Sequence, residues 1–340
     1  MSWPQGHEGS SPSSPTKHLR LLHQHKLSMK YNYSVSKYKP HLVILYGGPS
    51  SEREVSFGTR DFFTELYKEQ NPVTIEWGED GYFYTEGLRL SENEFLDYLS
   101  NTRSAVIIAS HGEFVEDGYI QERFESFSIP YTGSDSVSCR LCMNKTKSQE
   151  TVKGIVTTIP TYSGYSQLIY PFIAKPNNLG SSVGIYLITN SKELEEYLTS
   201  VKIDNYIFQP FIKGIEMSLG AVRENNTFMN LYPTEIIPNS PFFDYKSKYQ
   251  QGGSQEYTPA RISKDLTDKM MKTNNDVHNK LGLGYYSRSD YILAEDGVLY
   301  YLETNALPGM TSTSLVPQQL RYSHKVESFR DGLISNLILA

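Results

Sequence analysis

An Asp-Gly step between two strand-like runs fixes more of this fold than any other feature of the sequence. Tyr286–Ala294 and Val298–Asn305 alternate in polarity and are rich in aromatic and branched residues, and Asp296-Gly297 between them suits a two-residue type I′ hairpin turn. Such a turn pairs residue 295 with 298, so Asp290 falls opposite Glu303 and Arg288 opposite Asn305. Side chains alternate between faces of a strand. These four residues are therefore expected to share a face with Ile292, Ala294, Leu299 and Tyr301. Tyr291, Leu293, Val298, Tyr300 and Leu302 would then face the core.

Two carboxylates directly opposed on a sheet repel. Two compensations are open. A hard divalent cation could take oxygen ligands from Asp290, Glu303 and Asn305, or Arg288 could bridge the acids in a salt-bridge cluster. If a metal compensates, removing either acid should leave the fold intact.

Elsewhere the pattern is α/β. His41–Tyr46 and Ser104–Ser110 are buried-strand runs, each followed by a glycine turn (Gly47-Gly48 and His111-Gly112). Strands that end this way and enter helices place a working edge at their C-termini. Ser51-x-x-Glu54 reads as a capping box for a helix to about Lys68. Further helices are expected over 118–127, 135–152 and 264–281, and strands over 171–175, 185–188, 206–211 and 216–222. The Gly-, Ser- and Tyr-rich segment 238–262 has the length of a lid.

Several side chains on this frame admit two roles. Lys175 ends a strand before Gly180-Ser-Ser-Val-Gly184, a loop that could cradle phosphate or simply turn, and it lacks the Gly-Lys-Ser/Thr of a P-loop. Glu52 either complements a helix dipole or holds a cation above the first strand. His111 is structural or faces a ligand at the strand edge. Cys139-x-x-Cys142 stands alone, without a second pair for zinc, and reads as an interior helix face. Ser314, within Thr311-Ser-Thr-Ser314, lacks the Gly-x-Ser-x-Gly setting of a nucleophile.

Taken together, these residues resemble the D-alanine–D-alanine ligase family of ATP-grasp enzymes over Val43 to about Arg321. Seven ordered blocks carry the resemblance. They are Gly47-Gly-Pro-Ser-Ser-Glu-Arg-Glu-Val-Ser56, His111-Gly-Glu-Phe-Val-Glu-Asp-Gly118, Ile129-Pro-Tyr-Thr-Gly-Ser134 and Lys175-Pro-Asn-Asn-Leu-Gly-Ser-Ser-Val-Gly184. Phe243-Asp-Tyr-Lys-Ser-Lys-Tyr249, Arg288-Ser-Asp290 and Glu303-Thr-Asn-Ala-Leu-Pro-Gly-Met-Thr-Ser-Thr-Ser-Leu-Val-Pro317 complete the set.

The resemblance implies an α/β chain with a Rossmann-like N-terminal domain (39–133), a small ATP-grasp lobe (134–209) and a large one (210–340), the two lobes clamping ATP between antiparallel sheets. It implies ATP-dependent joining of two D-alanines through a D-alanyl phosphate, for peptidoglycan precursor synthesis, in a cytoplasmic homodimer. Asp290, Glu303 and Asn305 would hold two Mg²⁺ ions, which Mn²⁺ could replace. Lys145, Lys175 and Lys248 would bind phosphates, Glu216 the ribose and Gln209 the adenine amine. Arg288 and the Gly309 amide would stabilise the oxyanion. Glu52 would bind the first ammonium within a set formed with Ser181 and Tyr249, His111 would lie near the first substrate, and Ser314 with Leu315 would hold the second carboxylate. In the family a tyrosine at the position of Tyr249 accompanies dipeptide rather than depsipeptide formation. Asn144 and Gln209 replace the family's usual Asp and Glu, and the 147–175 stretch is short. Alternatives are another ATP-grasp ligase, such as one making D-alanyl-D-lactate, or a nucleotide-binding homologue without turnover.

Composition is consistent with this class. The 340 residues carry a formal net charge of −6, against a nucleic-acid-binding body, and two cysteines, against a disulfide scaffold. No run approaches the ~20 apolar residues of a membrane span. Residues 1–38 differ: basic, Ser-, Pro- and His-rich, they are expected to be a disordered or artefactual leader with Met29 as the start, or else a transit peptide.

Overall fold

The computed structural model describes residues 41–180, 184–238 and 254–339. The leader and most of the expected lid, with Ser181, Lys248 and Tyr249, lie outside the described residues.

The first layer is a five-stranded sheet. β1 (His41–Gly47) runs parallel to β2 (Val73–Trp77) on one side and β5 (Ser104–Ile108) on the other, while β3 (Phe83–Thr85) and β4 (Leu88–Leu90) continue the sheet antiparallel beyond β2. Val43, Ile44 and Leu45 of β1 and Ala105–Ile108 of β5 are wholly buried, as a parallel sheet covered on both faces requires. The chain leaves β1 for β2 through α1 (Arg53–Leu66) and reaches β5 through α2 (Glu92–Asn101). The strand order therefore reverses beside β1. That opens a crevice at the C-terminal ends of β1 and β5, where Gly47-Gly48 and Ser110-His111 lie.

α1 begins at Arg53 with Glu52 as its N-cap, so the Ser51 capping box does not set its start. The Ser50 hydroxyl instead receives the Glu52 N–H (3.2 Å) and donates to the His111 carbonyl (2.6 Å), tying the two glycine turns together. The helix ends at Leu66, with a short 3₁₀ turn over Lys68–Gln70.

After α3 (Tyr119–Phe127), the single helix expected over 135–152 is two: α4 (Ser136–Met143) and α5 (Lys145–Val152). Asn144 breaks it at φ −86° and ψ 100°, and its side-chain oxygen accepts the Lys147 N–H at 2.9 Å. Asn and Asp cap helices about equally well, so Asn144 serves here as an Asp would. Both cysteines sit in α4, and burial pushes the Cys142 thiol up to about 12 and the Cys139 thiol well above its usual range.

The strand β6 (Thr157–Thr158) precedes a three-stranded antiparallel sheet, β7 (Phe172–Pro176) between β8 (Tyr186–Ile188) and β9 (Tyr206–Pro210). One face of this sheet buries Phe172, Ala174 and Phe208 with Tyr197 of α6 (Ser191–Ser200). The other face carries Lys175 and Gln209.

The third sheet is built on the long strand β10 (Gly214–Glu224). β11 (Thr227–Phe228) pairs with β10, and β12 (Thr234–Pro238) and β13 (Ser254–Tyr257) extend the sheet on one side. After α7 (Lys264–Lys280), β14 (Tyr286–Ala294) and β15 (Leu299–Asn305) extend it on the other and end against β6. α8 (Leu315–Tyr322) crosses β10 at Gly220, where a Cβ would meet the Gln319 oxygen at 3.1 Å and Leu231 at 3.2 Å. Buried Gln319 takes the Gly220 N–H (2.8 Å) and donates to the Ser218 carbonyl and the Thr234 hydroxyl (both 3.0 Å). The last helix, α9, spans Val326–Leu339.

Candidate functional site

The opposed carboxylates are present, by a different route from the expected one. The hairpin turn holds three residues, not two: Ala294 N–H bonds the Val298 carbonyl and Gly297 N–H bonds the Ala294 carbonyl (both 2.9 Å), with Gly297 at φ +81°. That registers Leu293 with Leu299 and Tyr291 with Tyr301. A β-bulge then leaves Leu302 unpaired and restores the expected register, so that Asp290 faces Glu303 and Arg288 faces Asn305. The two one-residue shifts cancel. Between them the faces are exchanged: Leu299 and Tyr301, expected beside the acids, lie in the core. Tyr291 and Tyr301 are both fully buried there, in an edge-to-face pair 6.1 Å apart. Tyr300 and Leu302 are only partly buried.

Compensation of the acids is visible. Asp290 is 5% exposed; the Arg288 guanidinium forks its two oxygens at 3.0 and 2.9 Å, and the Ser218 hydroxyl donates at 2.6 Å. Ser218 is the partner of Asp290 across β10. Glu303 pairs with the buried Lys145 ammonium at 3.4 Å, and the same ammonium donates to the Leu179 carbonyl. The Asn305 side-chain oxygen accepts the Leu307 N–H at 3.1 Å. Among the described residues no three His, Cys, Asp or Glu side chains cluster as metal ligands. Two carboxylates and one amide oxygen on adjacent strands are nevertheless the donor set that Mg²⁺ takes, since it keeps waters and shares substrate phosphates.

These side chains form the floor of a cavity of about 330 Å³. Its wall brings in Glu52, His111, Lys145, Glu216, Gly309, Ser314 and Leu315, so eleven of the expected site residues, with Arg288, Asp290, Glu303 and Asn305 counted, lie around one space. Glu216 arrives through the sheet: Glu256, Ile236, Glu216, Ile292 and Tyr300 form one cross-strand row over β13, β12, β10, β14 and β15. Glu52 enters from the first crevice, and a Cβ on Gly180 would stand 3.8 Å from its carboxylate. His111 is 2% exposed, 2.8 Å from the Thr59 hydroxyl and 3.5 Å from Glu116. The Thr59 hydroxyl also receives the Met310 N–H at 3.3 Å, joining this crevice to the Gly309 loop. Ser314 caps α8, and its hydroxyl accepts the Thr311 N–H at 3.0 Å.

Lys175 and Gln209 are buried but do not line this cavity. The Gln209 amide donates to Thr161 (2.7 Å), which donates to Gln149 (3.0 Å).

Glu116 and Glu256 line the cavity without having been picked out from the sequence. Glu116 had a local signal: it lies between Gly112 and Gly118, both at positive φ, in the turn after a buried strand. Glu256 and Ser218 had none, because only pairing between strands far apart in sequence puts them there.

A family model described as D-ala D-ala ligase C-terminus matches residues 145–338. A D-alanine--D-alanine ligase from Geotalea uraniireducens is 32% identical over 294 residues, covering 82% of this chain and 89% of that protein. Two solved structures share the fold. VanG D-Ala:D-Ser ligase from Enterococcus faecalis superposes with a TM-score of 0.72 at 24% identity, covering 87% of this chain and 100% of that one. D-alanine--D-alanine ligase from Bacillus anthracis complexed with ATP does so at 0.67 and 23%, covering 88% and 97%.

Proposed function

The chain belongs to the D-alanine–D-alanine ligase family, and we propose that the cavity between its sheets is where that ligation takes place. It joins two D-alanines to D-alanyl-D-alanine with ATP, a step of peptidoglycan precursor synthesis. The observation that carries the site is the convergence of Glu52, Arg288, the opposed acids and the α8 N-terminus on one cavity.

A carboxylate is a poor electrophile until it has a good leaving group. The first D-alanine, held by its ammonium at Glu52 beside His111, attacks the γ-phosphorus of ATP through a carboxylate oxygen, and ADP leaves. The second D-alanine places its carboxylate on the Ser314 hydroxyl and the Leu315 N–H, which opens a helix and so has no partner within it. Its amine, once deprotonated, attacks the acyl carbon. Arg288 and the Gly309 N–H receive the oxyanion, and the C–O bond to phosphate breaks.

Asp290, Glu303 and Asn305 would hold Mg²⁺, which when bound supplies charge neutralisation at the transferred phosphoryl group. Lys145, Lys175 and Lys248 are assigned to phosphates, Glu216 to the ribose and Gln209 to the adenine amine. Ser181 and Tyr249 are assigned to the Glu52 set by motif alone. The chain is proposed to act as a homodimer, an assignment carried by the family resemblance. Its proposed place is the cytoplasm, whose reducing conditions suit two free buried cysteines. No helix among the described residues is long and apolar enough to cross a membrane.

The test supplies ATP and Mg²⁺ with D-alanine, with D-alanine plus excess D-lactate, or with neither, measuring ADP and separating the products. D-Alanine-dependent ADP release with D-alanyl-D-alanine as the main product is expected. D-Alanyl-D-lactate as the main product would refute the acceptor assignment, and D-alanine-independent ADP release would refute ligation.

A further inference from the structure

Gln318, in the second turn of α8, uses both protons of its side-chain nitrogen: one goes to Glu256 Oε2 at 2.6 Å, the other to the Thr313 carbonyl at 2.7 Å. Both partners are acceptors, so the orientation of the amide is fixed by chemistry. Glu256 stands on β13, at the edge of the sheet whose cross-strand row carries Glu216. Thr313 belongs to the loop that delivers Ser314 to the cavity. Within that loop, Ser314 N–H bonds the Thr311 carbonyl (3.0 Å) and the Ser314 hydroxyl takes the Thr311 N–H. The turn therefore closes on itself without Gln318. Gln319 already holds α8 on β10 and β12; Gln318 adds a bond from the turn itself to the edge strand β13.

We propose that Gln318 and Glu256 are positioning residues that set the second-substrate site, by tying the Thr313–Leu315 loop to the edge strand opposite the acids. The proposal rests on the assignment of the second D-alanine carboxylate to Ser314 and Leu315. A site for a small zwitterion depends on where its two ends are held, and a misplacement of about 1 Å is costly to the reaction. The bond to Glu256 is charge-assisted, the stronger kind.

The experiment is steady-state kinetics of the full chain, resolving separate KM values for the first and second D-alanine. Gln318→Met keeps length and removes both donors. It is expected to raise the second KM about tenfold, leaving the first KM and the KM for ATP within about twofold. Glu256→Ala should match it, and the double variant should be no worse than either single one, because both break one link. Glu256→Gln retains an acceptor oxygen and should recover the second KM to within about threefold of the unmodified enzyme. Ser314→Ala is the control for the underlying assignment. If it leaves the second KM unchanged, the substrate assignment falls and the tether with it. If it raises the second KM while Gln318→Met does not, the assignment stands and the tether is refuted. Equal rises in both D-alanine constants, together with a lowered Tm, would reduce Gln318 to a structural residue and overturn the proposal.

Discussion

Asp290 and Glu303 face each other, yet they are not equivalent. Asp290 is buried under a forked guanidinium and a serine hydroxyl, whereas the Glu303 side chain is 27% exposed and meets Lys145. The sequence pattern alone suggests that neutralising either acid relieves repulsion and spares the fold. For Asp290 the structure reverses this, because Asp290→Asn removes the charge that the forked, largely buried Arg288 guanidinium meets, costing about 1–3 kcal/mol. Glu303→Gln is the cleaner probe. It is expected to keep the unfolding midpoint in denaturant near that of the unmodified chain while lowering Mg²⁺-dependent kcat by about 10²–10³-fold. Near-normal turnover at ordinary Mg²⁺ would remove Glu303 from the metal site.

At the scale of elements, α7 carries a buried pH-sensitive contact with the site-bearing sheet. His278 is fully buried, with Nδ1 2.7 Å from the Ser287 hydroxyl of β14 and Nε2 2.9 Å from the Gly284 carbonyl. Nε2 therefore donates and Nδ1 accepts, in the neutral ring. Burial, with the nearby Arg223 charge, lowers its pKa to about 4. An unfolded histidine titrates near 6.5, so between these values the unfolded chain binds the extra proton. This contribution is complete above about pH 6.5 and is lost as pH falls toward 4, roughly 3 kcal/mol in all. Urea unfolding from pH 7 to 5 should show falling stability. In His278→Asn stability should be lower at pH 7 but the pH slope flatter; an unchanged slope would count against this account.

At the scale of the whole molecule, the described site residues are delivered by separate layers. Glu52 and His111 come from the parallel sheet, and Glu216, Arg288, Asp290, Glu303 and Asn305 from the largest sheet. Lys145 comes from a helix whose Gln149 links Thr161 and Gln209 to the Leu302 carbonyl (3.4 Å). A ligand spanning these layers stabilises all of them together, by about 2.7 kcal/mol at a hundredfold excess over Kd. A non-hydrolysable ATP analogue with Mg²⁺ and D-alanine should raise Tm more than D-alanine alone, and Glu303→Gln should erase the Mg²⁺-dependent part. Equal shifts with and without Mg²⁺ would argue against Asp290, Glu303 and Asn305 as its ligands.

The sequence by itself determined whatever depends on neighbours in the chain: the buried runs of β1 and β5, the glycine turns after them, and the strands of the 286–305 hairpin. It also placed Asp290 opposite Glu303, though through a turn one residue too short and a bulge it could not anticipate. A bulge is set by what the sheet packs against, here the buried Tyr291–Tyr301 pair, and no local pattern in β15 encodes that. The 135–152 helix breaks at Asn144 through a local cap, but tertiary structure alone decided that Lys145 then meets Glu303. It alone brought Ser218 beneath Asp290 and Glu256 to Gln318. Those contacts join residues 62–72 positions apart, and their geometry exists only once the sheet has formed around β10.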